Sequence, residues 1–364
     1  MSVTTPLRFF NPFQPTLNCY HRLKPHHSSS THLLFSTMQN LLILHGKSSF
    51  ETELAQSLKT NNTIKLPEED GQVSILVHSS QQRGVQNDAF DVDLYMNSLT
   101  THRYGKFFIY SPRLSSTQDI VSKNFSEIPV GSVCVTDLQF KGRGRSKNLW
   151  ESPKGCLLFS FTVEMEDGRV VPLLQYVVCL AMVEAIKDVC DVKGFAFIDV
   201  RIKWPNDLYL NGVKVGGILC TSTYRSKKFN VSVGIGLNVD NEMPTTCLNK
   251  VLSELSMVDC KLRREEILAA FFKRFENFYD VFINQGFRAL EEMYCRVWLH
   301  SGQRVVIQEK NNEDESVDEV AVTVQGLTAS GYLLAIDDDN ELYELHPDGN
   351  SFDFFKGLVR KKLE

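Results

Sequence analysis

Two spacings of apolar residues alternate along the chain from residue 107 onward. Apolar side chains recur every three or four positions at 174, 177, 178, 181 and 185, and again at Ile267, Phe271, Phe275, Phe278 and Phe282. Each set forms one face of an amphipathic helix, and we interpret the aromatic set as protein core. Shorter apolar or alternating runs bounded by Gly, Pro and Asn predict strands. The predicted strands are 107–110, 132–136, 157–165, 201–204, 207–210, 213–219 and 230–239.

After Trp298 the chain changes to short alternating strands separated by clusters of turn residues. The strands predicted there are Val305–Gln308, Ala321–Val324, Tyr332–Ile336 and Leu342–Leu345. Several short strands of this kind indicate a small all-β barrel. The preceding strands, grouped with helices that we expect to pack on one face, indicate an α+β class.

The first fifty residues have a different composition from the rest of the chain. The first acidic residue is Glu51, and the stretch before it is basic and rich in Ser, Thr, His and Pro. This composition is typical of an organelle transit peptide, which we place at 1–37. The Ser/Thr richness favours the chloroplast over the mitochondrion. Import into the mitochondrion and a plain N-terminal tail without a targeting role remain alternatives. Translation from Met38 would give a cytosolic product without the signal.

Composition excludes several classes of protein. The chain has 364 residues with 39 basic and 44 acidic side chains, and a net charge of −5 argues against a dedicated nucleic-acid partner. No apolar run is long enough to predict a membrane span. The nine cysteines include no CxxC pair and no Cys/His spacing typical of zinc, so neither a disulfide scaffold nor a zinc module is expected.

The first chemical motif is a glycine- and arginine-rich loop that follows a predicted strand. It reads Gln139-Phe-Lys-Gly-Arg-Gly-Arg145, with Trp150 five residues later. Glycines let the backbone approach a ligand, and arginines provide forked donors that suit phosphate or carboxylate oxygens. Such loops also occur as surface turns or RNA-binding segments. The preceding strand and a tryptophan able to stack on a base favour binding of nucleotide phosphates.

The second motif predicts a β-hairpin that carries charged side chains. Asn211-Gly212 between alternating apolar runs is a strong signal for a type I′ turn, which pairs Tyr209 with Lys214. Asp207 then lies on the same face as Lys214, within reach of its long side chain. A surface ion pair would explain this as well. The glycines at 216 and 217 in the return strand favour close approach of a ligand.

Together with a third motif, Gly234-Ile-Gly-Leu-Asn238, these segments resemble the biotin–protein ligase (holocarboxylase synthetase) family. The similarity covers roughly residues 107–300 and extends more loosely through the C-terminal barrel. The matching segments are Ser116-Thr117-Gln118, Gln139, GRGR at 142–145, Trp150, KWPND at 203–207, Lys214-Val-Gly-Gly217 and GIGLN at 234–238. With the transit-like leader, a plant enzyme is the most similar kind of member.

The resemblance implies a fold, a domain order and a reaction. The fold is a mixed sheet flanked by helices, followed by an SH3-like barrel. The implied domains are an extension of unknown role at 38–105, a catalytic domain at 106–300 and the barrel at 301–364. The implied reaction uses ATP and Mg²⁺ to form biotinyl-5′-AMP and then transfers biotin to a lysine of a biotin carboxyl carrier domain of a carboxylase. No membrane partner is implied, and a homodimer stays open.

The resemblance also implies roles for individual residues. Lys214 bridges the biotin carboxyl and the adenylate phosphate, Arg145 with Arg143 binds phosphate, and Asp207 orients or deprotonates the acceptor lysine. The implied catalytic residues are therefore Lys214, Arg145 and Asp207. The remaining binding residues are Ser116, Thr117 and Gln139 for the biotin ureido group, Trp150 as a cover, Asn238 for adenine, and Gln118, Gly142, Gly144, Lys203, Gly216 and Gly217. Lys203 is either a second phosphate contact or an ion partner of Asp207.

One departure and two rival interpretations remain. Family members commonly carry a basic residue two positions before the tryptophan, where this chain has Asn148, so Lys147 is the alternative source of that contact. A lipoate ligase or octanoyltransferase would share the fold, but the usual glycine-rich loop with a nearby histidine is missing. A biotin-sensing DNA-binding repressor would need an N-terminal helix-turn-helix, and residues 1–105 show no paired-helix pattern.

Overall fold

A computed structural model describes residues 41–78, 89–145, 148–256, 260–310, 317–347, 350–353 and 358–361. The predictions for the leader at 1–37, for Met38 and for Lys147 lie outside the described residues. Within them, no helix is long and apolar enough to cross a lipid bilayer.

More of the described residues lie in strands than in helices. In chain order they are β1 (Leu41–Gly46), β2 (Ser74–Val77), β3 (Phe107–Leu114), β4 (Val133–Gln139), β5 (Cys156–Met165), β6 (Arg201–Lys203), β7 (Asp207–Leu210), β8 (Val213–Arg225), β9 (Lys228–Asn238), β10 (Arg304–Lys310), β11 (Val317–Leu327), β12 (Leu333–Asp337), β13 (Leu342–Leu345), β14 (Asn350–Asp353) and β15 (Leu358–Lys361). Every strand predicted from the sequence is present. Alternating patterns therefore located the strands, although several extend beyond their predicted ends.

Nine strands form one mixed sheet in the order β2-β1-β3-β4-β5-β9-β8-β7-β6. The pairs β1/β2 and β3/β4 are parallel, whereas β5, β9, β8, β7 and β6 are joined by antiparallel ladders. The mixed sheet predicted from the resemblance is thus confirmed.

The N-terminal extension contributes to the same sheet. β1 pairs antiparallel with β3, with Ile43 opposite Tyr110, and β2 adds a parallel strand outside it. Residues 41–77 therefore add two strands at one edge of the sheet, and the other strands of this sheet carry the sequence motifs. The boundary placed between residues 105 and 106 stays a prediction.

Helices cover both faces of the sheet. In chain order they are α1 (Ser49–Thr60), α2 (Val92–Ser98), α3 (Thr117–Lys123), α4 (Leu174–Lys193), α5 (Leu248–Leu255), α6 (Arg264–Gln285) and α7 (Arg288–Val297). On β3, Phe108 belongs to the large core that contains α4 and α6, whereas Phe107 belongs to a second core with α1 and α3. The expectation that helices pack on one face is wrong. β3 is apolar on both faces because both are buried.

The helix α6 carries the aromatic stripe that the spacing predicted as core. Phe271, Phe275 and Phe282 are almost fully buried. The rings of Phe161 on β5 and Phe275 meet edge to face with centroids 4.9 Å apart, a favourable aromatic geometry. The stripe therefore fixes α6 against the sheet, and the core interpretation is confirmed.

The C-terminal strands form a second sheet in the order β13-β12-β11-β10-β15-β14. Its ladders are antiparallel except for the parallel pair β10/β15. Closure of this sheet into an SH3-like barrel stays a prediction. The sheet is tied to the larger one because the hydroxyl of Tyr176 on α4 donates to the carbonyl of Gly331, 2.5 Å away.

Candidate active site

The predicted hairpin forms between β7 and β8. Asn211 and Gly212 both have positive φ, at 50° and 76°, as a type I′ turn requires. Tyr209 lies opposite Lys214, as the turn length predicted. The hairpin geometry read from the sequence is therefore confirmed.

A bulge follows this turn and was not predicted. The register shifts so that Leu208 lies opposite Gly216 and Asp207 opposite Gly217. The ammonium group of Lys214 lies 2.6 Å from Oδ1 of Asp207. A Cβ added at Gly217 would lie 3.5 Å from that oxygen, so this position leaves the ion pair open on one side. Glycine inside a strand can indicate either a bulge or the close approach of a ligand. From the sequence alone, the glycines at 216 and 217 are interpreted only as a sign of ligand approach.

The Gly/Arg loop is a tight turn closed by backbone hydrogen bonds. The Trp150 N–H donates to the Gly142 carbonyl at 3.0 Å, and the Gly144 N–H donates to the Asn148 carbonyl at 2.8 Å. A Cβ at Gly142 would lie 2.6 Å from the Trp150 carbonyl oxygen, whereas one at Gly144 would have no neighbour closer than 3.8 Å among the described residues. Gly142 therefore allows the loop to pack closely. A side chain at Gly144 would meet no close contact among the described residues.

The two arginines of this loop have different partners. Arg143 is half-exposed and forms an ion pair with Asp119 on α3. The guanidinium of Arg145 donates to Oδ1 of Asn206 at 3.3 Å and to the Pro347 carbonyl at 3.1 Å. Arg145 thus links the loop to the KWPND segment and to the C-terminal sheet.

A neutral polar group lines another part of the site. The N–H of Thr117 donates to Oε1 of Gln139 at 2.8 Å, and the hydroxyls of Thr117 and Ser160 are 2.8 Å apart. Ser116, which precedes α3, is buried beside them. These neutral donors and acceptors suit a polar ligand without net charge.

Two buried polar atoms at the site have no hydrogen-bond partner among the described residues. They are Oε1 of Gln118 and Nε1 of Trp150. The other end of the Gln118 amide donates to the Ser232 carbonyl at 2.8 Å, which fixes its orientation. Buried polar groups are usually paired, so an acceptor and a donor left unpaired in one cleft indicate a ligand that would pair with them.

The glycines of the GIGLN strand make room for these two side chains. A Cβ at Gly234 would lie 2.6 Å from Oε1 of Gln118, and a Cβ at Gly236 would overlap the Trp150 ring. The small residues of this segment therefore admit Gln118 and Trp150.

Most of the site residues described above border one cleft of about 600 Å³. The predicted residues that line it are Ser116, Thr117, Gln118, Gln139, Arg143, Gly144, Arg145, Trp150, Lys203, Asp207, Lys214 and Gly217. The other predicted site residues, Gly142, Gly216 and Asn238, do not line the cleft. The prediction missed lining residues that include Ser160, Asn206 and Pro347. Ser160 lies on the predicted strand 157–165, but its contact with the predicted site residue Thr117 could not be found from the sequence, because 43 residues separate the two.

The side-chain amide of Asn238 forms hydrogen bonds within the protein. Its Nδ2 donates to Oγ1 of Thr245 at 2.9 Å and to the Thr246 carbonyl at 3.2 Å. The same Thr245 hydroxyl donates to the Lys214 carbonyl at 3.2 Å. Asn238 therefore supports the loop behind Lys214, and its predicted contact with adenine stays a prediction.

The charge of the cleft is opposite to that of the whole chain. Its charged lining side chains are the cations Arg143, Arg145, Lys203 and Lys214 and the anion Asp207. The ring of Trp150 lies 5.3 Å from the Lys214 ammonium group, within cation–π range. The described part of the cleft therefore favours an anionic ligand beside an aromatic surface.

The KWPND segment is fixed from behind by a buried histidine. Nε2 of His300 accepts the Trp204 N–H at 2.9 Å, and Nδ1 lies 3.0 Å from Oε1 of Gln303. Burial lowers the pKa of His300 to about 4, an effect that the Gln303 contact partly opposes. The ring is therefore neutral at pH 7, which lets Nε2 accept the hydrogen bond.

Two plant proteins are similar to this chain over nearly their whole length. Biotin–protein ligase 2 of Arabidopsis thaliana is 68% identical over 324 residues, which cover 88% of this chain and 98% of that protein. The chain belongs to the biotin–protein ligase family. The chloroplastic biotin–protein ligase 1 of the same plant is 64% identical over 347 residues, 94% of either chain.

Matches to family sequence patterns and to a solved structure agree with this membership. The pattern of the biotin/lipoate A/B protein ligase family matches residues 110–238, and that of the biotin protein ligase C-terminal domain matches residues 300–357. A biotin protein ligase from Aquifex aeolicus, solved with biotin and ATP, has a TM-score of 0.51 and 25% identity. The match covers 65% of this chain and 94% of that one. The site residues all fall within or beside the matched segments.

Proposed function

We propose that this chain is an ATP-dependent ligase that activates biotin as biotinyl-5′-AMP and transfers it to a lysine of biotin carboxyl carrier domains of carboxylases. The observation that carries the proposal is one cleft that Trp150, a neutral polar cluster and a cationic cluster all line. Biotin needs both kinds of group, because its ureido end is neutral and its carboxylate must meet a triphosphate. Membership of the biotin–protein ligase family supports the same assignment.

Activation of biotin requires two anions to approach each other. The carboxylate oxygen attacks the α-phosphorus of ATP, the bond to the β-phosphate oxygen breaks, and pyrophosphate leaves with the bonding electrons. Arg145 and Lys214 would offset the repulsion and stabilise the charge that develops on the phosphorus. Arg143 would hold the mixed anhydride after it has exchanged Asp119 for the phosphate. Lys203, which also lines the cleft, is the proposed second phosphate contact.

The neutral end of the cleft is the proposed biotin pocket. Ser116, Thr117 and Gln139 would bind the ureido group, which both donates and accepts hydrogen bonds. The unpaired Oε1 of Gln118 and Nε1 of Trp150 would contribute one acceptor and one donor to the bound ligand. The Trp150 ring would cover biotin and exclude water from the anhydride.

Transfer is the proposed task of Asp207. The free acceptor lysine has a pKa of about 10.4 and is mostly protonated at neutral pH. Asp207 would orient this ammonium group or take its proton, after which the amine attacks the acyl carbonyl and AMP leaves. Gly217 would keep the approach to Asp207 open, as Gly144 would for the phosphates.

ATP and Mg²⁺ are the proposed co-substrate and cofactor. The described residues contain no cluster of three His, Cys, Asp or Glu side chains able to hold a metal ion. We therefore assign Mg²⁺ no protein ligand, and it would enter with the nucleotide, whose charge it lowers. Asn238 remains the proposed contact for the adenine edge.

The remaining parts of the proposal concern location and organisation. Residues 1–37 would direct the chain to the chloroplast, and a product begun at Met38 would stay in the cytosol. The segment 106–300 would be the catalytic domain and 301–364 an SH3-like barrel. The partners would be carrier domains, and neither a membrane nor nucleic acid belongs to the proposal.

The proposal is tested by incubating the purified chain with ATP, Mg²⁺, labelled biotin and an apo carrier domain. We expect label on the carrier, and none when ATP is omitted or when the acceptor lysine is changed to arginine. Lipoate in place of biotin, with an apo lipoyl domain, should give no product. Efficient lipoyl transfer without biotin transfer would replace this proposal with a lipoate ligase.

A further inference from the structure

A short segment of the N-terminal extension contacts the residue that precedes the proposed biotin pocket. The segment is the 3₁₀ turn Glu68–Asp70, just before β2. The carboxylate of Asp70 accepts the Ser115 N–H at 2.6 Å and the Ser115 hydroxyl at 2.9 Å. Both residues are buried, with Asp70 8% and Ser115 1% exposed. Ser115 is followed directly by Ser116 and Thr117, which belong to the proposed pocket.

Ser115 also contacts the start of the Gly/Arg loop. Its carbonyl accepts the N–H of Lys141 at 2.9 Å, one residue before Gly142. The Lys141 ammonium group lies 3.1 Å from Oε1 of Glu69. Asp70, Ser115, Lys141 and Glu69 therefore form a closed ring of contacts, which we call the 69–141 clamp.

We propose that Asp70 is a positioning residue for the biotin pocket and acts through this clamp, an inference that rests on the proposed function. A buried carboxylate that accepts two hydrogen bonds fixes the direction in which β3 passes into α3. That direction places Thr117 where its N–H meets Gln139. The N-terminal extension would thus set the geometry of the biotin end and of the loop that holds the anhydride.

The two halves of the clamp differ in strength. The Glu69–Lys141 ion pair is about half exposed at both ends, and pairs of this kind contribute little. The Asp70–Ser115 contacts are buried, and their loss leaves a buried N–H and a hydroxyl unpaired. Changes at Asp70 should therefore dominate, and Glu69→Gln should alter the KM for biotin by less than about twofold.

Glu51 provides a matched control in the same extension. It is also 8% exposed. It likewise accepts hydrogen bonds from the N–H and the hydroxyl of a serine, Ser48, with the N–H at 2.8 Å. It lies in the first turn of α1 and outside the lining of the cleft. Glu51→Ala thus removes an equivalent pair of contacts, and in addition the 3.1 Å ion pair of Glu51 with Lys106, without touching the clamp.

The first measurement is amide hydrogen exchange on the full chain without ligand. In Asp70→Ala, exchange at Ser115 and Lys141 should accelerate at least tenfold relative to wild type, because both amides belong to the clamp. In Glu51→Ala these two amides should keep their wild-type rates. Equal acceleration in both variants, or none in Asp70→Ala, would show that no clamp exists. This measurement needs no biotin, so it stands even if the wild-type chain transfers none.

The second measurement is steady-state biotinylation of an apo carrier domain. Asp70→Ala should raise the KM for biotin about 10- to 100-fold, with a smaller change in kcat. Asp70→Asn should restore a KM within about threefold of wild type, because its amide oxygen can accept the Ser115 N–H and its amino group can donate to the hydroxyl. An unchanged KM in Asp70→Ala, or a KM raised equally by Glu51→Ala, would overturn the positioning role. Failure of the wild-type chain itself would instead overturn the proposed function.

Discussion

Lys214 and Asp207 form an ion pair across the β7/β8 hairpin, with Nζ 2.6 Å from Oδ1. The side chains are 37% and 23% exposed, so the pair lies at the edge of the cleft and is open to an incoming ligand. An anionic ligand would compete with Asp207 for Lys214, and the acceptor lysine would compete with Lys214 for Asp207. One contact thus connects the two proposed half-reactions.

The two members of this pair should fail at different steps. Lys214→Ala should fail in adenylation, because the cation proposed to bridge the biotin carboxylate and the phosphate is then lost. Asp207→Asn should still form biotinyl-AMP but transfer it about 10²–10⁴-fold more slowly, the usual range for general-base help. Pyrophosphate release and carrier labelling in separate single-turnover assays report the two steps.

A second ion pair on the same sheet serves as the control. Lys228 on β9 lies 2.5 Å from Glu164 on β5 and borders no part of the cleft. Lys228→Ala and Glu164→Gln should leave both steps near wild-type rates. Equal loss of both steps in Asp207→Asn would remove the base role and leave Asp207 as a support of the hairpin.

Substitutions of the two loop arginines should affect different steps. Arg145→Ala should slow adenylation about 10²–10³-fold, the typical cost of losing one preorganised donor. Arg143→Ala should release biotinyl-AMP into solution, which chromatography of the reaction mixture detects. Arg169→Ala, whose side chain pairs only with Asp167 among the described contacts, is the control. Wild-type retention in both cleft variants would leave the loop as a structural turn.

The glycines of the same loop give a steric test. Gly142→Ala should lower the Tm by several degrees and reduce activity, because its Cβ would lie 2.6 Å from the Trp150 carbonyl oxygen. In Gly144→Ala the added Cβ would have no neighbour closer than 3.8 Å in the described part of the chain, and the Tm should stay within about one degree of wild type. If phosphate approaches the Gly144 backbone, this stable variant should still raise the KM for ATP. An unchanged KM would mean that the ligand binds elsewhere.

Local signals in the sequence predicted the parts of the site that depend on neighbours in the chain. Asn211-Gly212 predicted the turn and its register because positive φ at two adjacent residues selects one hairpin type. The same reasoning could not give the bulge that places Asp207 opposite Gly217. A bulge depends on how β8 also pairs with β9, which no dipeptide encodes.

Contacts between distant segments were not predictable. Asp70 meets Ser115 across 45 residues, and Arg145 meets Pro347 across 202 residues. The segment 51–105 contains no sequence motif, because its described residues contribute β2, α2, most of α1 and the buried carboxylates of Glu51 and Asp70. The coverage of both sheet faces was missed for a related reason, since α1 belongs to that segment.

The leader should be dispensable for catalysis but required for import. It lacks acidic residues and precedes every predicted core element, as transit peptides do. A chain that starts at Met38 should biotinylate an apo carrier domain at the full-length rate, and a fluorescent protein fused to residues 1–50 should enter plastids. Fluorescence confined to the cytosol would remove the targeting role and leave the chemistry unaffected.

The stability of the fold should decrease as the pH falls below 6.5, partly because of His300. This ring is fully buried, and burial lowers its pKa to about 4. In the unfolded chain a histidine has a pKa of about 6.5, so between pH 6.5 and pH 4 the unfolded chain binds more protons. The free energy of unfolding therefore falls with pH in this window and levels off above it. His300 alone should account for about 2 kcal/mol between pH 7 and pH 5.

A glutamine at this position tests the assignment. In His300→Gln the amide oxygen can accept the Trp204 N–H but does not titrate, so the loss of stability between pH 7 and pH 5 should shrink by about 2 kcal/mol. His45, whose pKa burial also lowers to about 4, continues to titrate in this variant. His45→Gln should therefore remove its own share and leave that of His300. Urea unfolding at a series of pH values measures both, and a full pH-dependent loss in His300→Gln would show that His300 is not the group responsible.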